Sequence, residues 1–476
     1  MTISPISLIR GLRRIRVNIE DHSIWHRFRR NVSISMAGSG LSLAIKLAQT
    51  ALLTRVLKIE DYGRLLIVLN LFVFLDSFFG LRVNDVMFRF FPPLREAKDA
   101  RALKGLVLLG LGTCLASGIL IYGGVLALSP WLADRLYPGL EMGTLFAIYG
   151  ITILVSAFAG VYEPILRMND RFLSVVRPQV LGNLITFVLL CIYFSTNLAS
   201  GFPGNADYDL RAVVAFFTIG ALVQTLPSFV QALRLVRPIL VGVKAREAIH
   251  ALRSYRRALT ACFLNSNLSN CLKFATSPGD IFVLGIFSSP TQLAFYGLAK
   301  QLTAPLALLL FNVQTSVTPE ITALVARKRF EQLKRLVVSY VWSTLVVGSL
   351  LLAGTLLVGH LLLSRWVQPE YLAALPVFYV IATVVWLMLV FLVFRPVAVS
   401  LDLLKWHNLA LFASACLVGL LIVAGGLNAL TMAYVQLAEI LVFRSMFNLL
   451  IWTRLKRLAA TERIANIPGQ NAPSEA

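Results

Sequence analysis

The chain has 476 residues, 58% of them apolar and 14% charged, against roughly 45–50% and 25% in soluble domains, and its mean hydropathy is +0.77. These values exclude an ordinary soluble enzyme, a disordered protein and a protein with a single membrane anchor. The 44 basic and 23 acidic side chains leave a net charge of +21; on a soluble protein that would point to nucleic acid, so the placement of the charges decides its meaning.

Residues 1–31 are basic, with Arg10, Arg13, Arg14, Arg16, Arg27, Arg29 and Arg30, and lack the apolar core and cleavage pattern of a secretory signal. About twelve apolar stretches of spanning length follow. The first half places them at 32–54, 65–91, 103–129, 143–166, 178–194 and 212–233. The second half places them at 259–287, 292–317, 336–363, 374–399, 408–424 and 427–452. Alternate connections are rich in Lys and Arg: Arg95, Lys98, Arg101 and Lys104 follow the second stretch, and Arg327, Lys328, Arg329, Lys334 and Arg335 the eighth. Basic loops face the cytoplasm, which predicts cytoplasmic termini and an even number of spans. Topology explains the charge, and nucleic acid is not an expected partner.

The predicted fold is an all-α polytopic membrane protein. A basic segment (1–31) leads into a six-helix lobe (32–235), a basic linker (236–258), a second six-helix lobe (259–452) and a tail (453–476). The five cysteines are scattered, without disulfide or zinc spacing, and the histidines show no metal spacing. No phosphate-binding Gly-rich run is present. Neither a cofactor, a metal nor an ATP site is expected, and no catalytic residue is assigned. Asp207-Tyr208-Asp209 in an outer loop reads as a solvated acidic turn.

The two halves repeat. Tyr62-Gly63 and Tyr296-Gly297 lie 234 positions apart, and Pro164 and Pro396 lie 232 apart. Ser35, Ser39, Ser42, Lys46 and Gln49 form a polar stripe at i, i+4, i+7, i+11, i+14, and Ser266, Asn270, Lys273, Ser277 and Asp280 repeat it. Each set shares one helical face. Six spans separate the copies, so the repeat is parallel, about an axis along the membrane normal, as in transporters that alternate their access.

Three segments carry a resemblance: Leu57-Lys58-Ile59-Glu60-Asp61-Tyr62-Gly63, the stretch from Asp280-Ile281-Phe282-Val283-Leu284-Gly285 through Phe295-Tyr296-Gly297-Leu298-Ala299, and Thr318-Pro319-Glu320. With them the chain resembles the polysaccharide (O-antigen type) flippases of the multidrug/oligosaccharidyl-lipid/polysaccharide exporter superfamily. The resemblance implies movement of an isoprenoid-diphosphate-linked oligosaccharide from the inner to the outer leaflet of a bacterial cytoplasmic membrane. It also implies membrane lipids, glycosyltransferases and a polysaccharide polymerase as partners. Two other readings are a drug/cation antiporter of the same superfamily and a membrane glycosyltransferase or polymerase, the latter disfavoured by the short outer loops.

Charges inside a bilayer cost about 2.5–3.5 kcal/mol each on insertion scales and mark cavities or partners. Lys46, Arg82, Lys273 and Lys300 are the candidate ligands of a diphosphate. Asp76, Asp85 and Asp280 are the candidate coupling or counter-charges, with Asp280 free to accept from backbone amides or to pair with Lys46. Arg82, Asp85 and Arg89 share a face at i, i+3, i+7, which suits a salt-bridge ladder as well as a binding site. Lys300 lies near the outer surface and equally suits snorkelling. Glu439 and Arg444 are expected to be structural. Pro278 and Gly279 are the expected hinge of the seventh span, with Pro305 acting beside them.

Overall fold

The computed structural model describes residues 21–136, 142–169, 171–199, 209–241, 244–271, 279–326, 328–401, 412–413, 416–417, 419–424 and 426–465. Every regular element among them is helical. In the first half these are α1 (Asp21–Val56), α2 (Ile59–Phe79), α3 (Val83–Glu96), α4 (Ala100–Leu136), α5 (Met142–Ser156), α6 (Ala159–Met168), α7 (Leu173–Ala199) and α8 (Leu210–Val241). A short helix α9 (Ala245–Ala251) and a 3₁₀ turn (Leu252–Tyr255) form the linker. The second half contains α10 (Arg256–Cys271), α11 (Gly279–Phe287), α12 (Pro290–Ala326), α13 (Phe330–Arg365), a 3₁₀ turn (Pro369–Ala374), α14 (Leu375–Val390), α15 (Phe394–Ser400), α16 (Ala429–Ala438), a π-helical segment (Glu439–Arg444) and α17 (Ser445–Ala465).

Eight helical segments among the described residues are long and apolar enough to cross a membrane. The stretches at 65–91, 259–287 and 292–317 are not among them. The first is broken at Gly80–Arg82, and the other two run over residues or side chains outside the described ones. The stretch at 408–424 lies mostly outside the described residues.

Two further expected spans are broken ahead of a proline, the first about two turns before it and the second about one. α5 ends at Ser156 and α6 carries Pro164; α14 ends at Val390 and α15 carries Pro396. Proline removes the amide that would bond four residues back, and its ring crowds that carbonyl. The two breaks occupy matching places in the repeat. At Pro305, in contrast, α12 continues as one helix.

The first half packs α7 against α1 and α8, and α5 against α4 and α8. The second half packs α14 against α12, α13 and α16, and α17 against α13. The halves meet where α12 lies on α1 and α2, and where α10 and α11 lie on α2. At the end of the molecule opposite the basic loops they share one apolar core, which includes Leu57, Tyr62 and Phe146 of the first half and Leu284, Tyr296, Tyr371 and Phe378 of the second. Tyr371 joins them through edge contacts with Tyr62 at 6.1 Å and Phe295 at 6.5 Å. Phe74 stacks on Phe282 at 4.0 Å. At the basic end the core separates. One cluster contains Met87, Leu106 and Leu166, with Leu252 and Leu259 of the linker and α10 packed into it; the other contains Leu333, Val397 and Ile451.

Candidate functional site

Beneath the shared core lies a cavity of about 250 Å³. The polar stripe of α1 supplies Lys46, Gln49 and Thr50; α2 supplies Asn70, α5 Tyr149, α7 Asn183 and Thr186, α8 Gln224, and α12 Gln301. Among the described residues Lys46 is the one charged side chain on this wall, and no carboxylate lines it. Gln49 Nε2 donates to the Asn183 carbonyl at 2.7 Å, and Thr50 Oγ1 donates to Gln301 Oε1 at 3.3 Å, which joins the two halves. Asn183 Nδ2 is buried and meets no partner among the described residues; such groups call for a water or a ligand. A second cavity of about 200 Å³ nearer the basic end is lined by Ser39, Glu163, Arg167 and Gln179 and shares Gln224 with the first. Glu163 and Arg167 pair at 2.9 Å. Of the expected stripe, Lys46 and Gln49 line the first cavity and Ser39 the second, whereas Ser42 is buried and lines neither.

The expected ladder Arg82–Asp85–Arg89 does not lie on one continuous helix. α2 stops at Gly80, whose amide donates to the Asp76 carbonyl at 2.8 Å. A side chain at Gly80 would run into Asp76 Oδ1 and the Asp76 carbonyl. Arg82 adopts φ 29°, rare for a residue with a Cβ, and caps α3. Its guanidinium donates to both oxygens of Asp85, at 3.2 and 3.5 Å. Arg395 of α15 is in electrostatic range of both Arg444 and Arg82, so the two halves bring three arginines near one another. Arg444 pairs with Glu439 at 2.8 Å. Glu439 is 1% exposed, and its Oε2 has no partner among the described residues.

Asp280 pairs with Lys300, not with Lys46. It is 0% exposed and sits in the first turn of α11, where the helix dipole favours an anion. Its Oδ2 accepts from Tyr296 Oη at 2.7 Å, Lys300 Nζ at 2.6 Å and Gln436 Nε2 at 2.6 Å; its Oδ1 accepts from the Ile281 amide at 2.8 Å. Gln436 is placed by α16, whose N-terminus is closed by reciprocal bonds between Asn428 and Thr431 and tied to α12 by Gln292 accepting from the Ala429 amide at 3.0 Å. Gly279 is buried at the start of α11. Lys273, Pro278 and Asp207 lie outside the described residues.

No family model and no curated protein matches the chain. Solved structures do. An inward-facing multidrug resistance MATE family transporter of the MOP superfamily is similar at 15% identity and TM-score 0.61, over 90% of this chain and 98% of that one. This chain shares that structure's fold. A MOP superfamily transporter from Pyrococcus furiosus Vc1 (DSM3638), described as having a binding pocket of reverse polarity, is similar at 15% identity and TM-score 0.61, over 91% and 96%. The lipid II flippase MurJ, in an inward closed conformation, is similar at 13% identity and TM-score 0.61, over 91% and 93%. The MOP fold has twelve helices in two lobes, which agrees with the expected twelve-span, two-lobe membrane architecture.

The amides of the cavity escape a reading that looks only for charge. Asn70, Asn183, Gln224 and Gln301 each interrupt an apolar span, as does Gln436 beside Asp280. An amide in hydrocarbon needs a partner much as a charge does, and that is the signal that finds them.

Proposed function

We propose that this protein moves an isoprenoid-diphosphate-linked oligosaccharide between leaflets by alternating access, for surface polysaccharide biosynthesis in a bacterial cytoplasmic membrane. The observation that carries this reading is the cavity wall: among the described residues, one lysine and a set of amides, with no carboxylate. A cation suits a diphosphate. Amides and the ring of Tyr149 suit sugar hydroxyls and sugar faces. The basic loops favour cytoplasmic termini, with lobes at 32–235 and 259–452. The separated cores at the basic end suit loading from the cytoplasmic side.

The buried carboxylate of Glu439, with one oxygen unpaired among the described residues, favours a second reading, a cation-coupled drug antiporter of the same fold. One experiment decides. Purified protein in liposomes is given a fluorescent diphosphate-linked glycolipid without ATP. The expected result is movement between leaflets, reduced at least fivefold by Lys46→Ala. An inert glycolipid together with exchange of a cationic dye for protons overturns the flippase reading.

A further inference from the structure

We infer that a groove between α4, the linker and α10 binds one anionic phospholipid from the leaflet on the basic side. This does not rest on the substrate proposed above. The groove encloses about 660 Å³. Gly105 lets the linker's Ala248 carbonyl come against α4, and Gly112 leaves open space where a side chain would stand. Leu109, Ala116, Leu259 and Phe263 make its walls apolar. Its two charged residues, Arg253 and Arg256, are both exposed and follow the linker helix.

The dimensions fit a single leaflet. Arg101 of α4 pairs with Glu247 of α9 at 4.0 Å, which marks the level of the headgroups. From Gly105 to Ala116, α4 descends about 16 Å at 1.5 Å per residue, about half of a ~30 Å hydrocarbon core. Leu81, beside the α2–α3 break, lines the same groove. An acyl chain matches the apolar walls, and a phosphate matches the two guanidiniums at the surface. The arginines stand at the membrane surface and not in the cavity under the shared core, which favours a resident phospholipid over a diphosphate substrate in transit. The basic segment 1–20, with Arg10, Arg13, Arg14 and Arg16, is repelled by the same two arginines. A lipid seated here bridges α10, the start of the second half, to α4 of the first.

The test is native mass spectrometry of the purified full chain titrated with phosphatidylglycerol or phosphatidylcholine. The expected result is one phosphatidylglycerol retained per chain where phosphatidylcholine is lost. Arg253→Gln/Arg256→Gln and Gly112→Leu should each lower its occupancy at least fivefold, and Arg234→Gln/Arg237→Gln should leave it unchanged. Ala116→Phe, on a lipid-facing position, replaces Gly112→Leu if that variant does not elute as a monodisperse peak. Several lipids retained without response to any variant overturns the proposal, as does loss on the arginine change without loss on the groove-filling change. Higher occupancy on deleting residues 1–20, or preference for an isoprenoid diphosphate, also overturns it by naming a different occupant.

Discussion

At Asp280 a carboxylate with no exposed surface receives four donors from α11, α12 and α16. Its charge is matched by Lys300, whose side chain is 25% exposed. Removing one partner of a buried ion pair leaves the other uncompensated, which costs about 3–5 kcal/mol, whereas replacing both by apolar groups is often neutral. Asp280→Ala should therefore lower stability by about that amount, and Asp280→Ala/Lys300→Met should recover most of it. Thermal melting in detergent measures both. Equal melting of the single variant and the parent chain would show that the cluster does not hold the helices together. The stripe spacing made Asp280 legible in the sequence, since it ends a run on one helical face. Its partner was not legible: Lys46 and Lys300 satisfy the same charge argument, and only the packing of α12 beside α11 selects Lys300.

The two halves meet most extensively where α2 crosses α12, and the repeated Tyr-Gly pairs lie in that seam. A Cβ at Gly63 would strike the Pro290 carbonyl, and one at Gly297 would strike Leu66 Cδ1. Backbone cannot move aside as the tip of a leucine can. Gly63→Ala should destabilise by about 1–3 kcal/mol through overpacking. Gly297→Ala should be milder, because the gain in helix propensity, about 1 kcal/mol, offsets the clash. Comparing the two melting temperatures tests the asymmetry; a larger loss for Gly297→Ala sinks this account of the seam. The repeat was readable because both copies kept their Tyr-Gly and proline markers. The helix breaks were harder to read. Breaks precede Pro164 and Pro396, α12 runs unbroken past Pro305, and Gly80–Arg82 breaks a span without any proline. Hydrophobic length alone treats all of these as single crossings.

Across the whole molecule, the halves share a core at one end and hold separate cores at the other. Alternating access requires the shared core to part. Thr50 and Gln301 face each other across it, so cysteines at these positions, in a chain with its native cysteines replaced by serine, should be joined by a short thiol cross-linker. Transport should then fall at least tenfold and return when a cleavable linker is cut. Undiminished transport by a fully cross-linked population would falsify the parting of the lobes at this end. The two-lobe plan was legible in the sequence because span count, loop charge and repeat offset agree. The open and closed ends were not, since each lobe keeps its internal contacts in either arrangement and only contacts between lobes differ.

The shared core also has an electrical consequence. A polar channel conducts the membrane voltage inward, so most of the potential falls across the apolar layer that remains. Along α1 that layer runs from Lys46 to Leu57, about 16 Å at 1.5 Å per residue, roughly half the bilayer. On the proposed function, an anion held at Lys46 would have crossed little of the field before the lobes rearrange, and would cross nearly all of it when they do. At about 2.3 kcal/mol per charge per 100 mV, a doubly charged headgroup leaving a negative interior would release about 4–5 kcal/mol in that one step. The conformational change itself, and not the entry of substrate, would then be the voltage-dependent event.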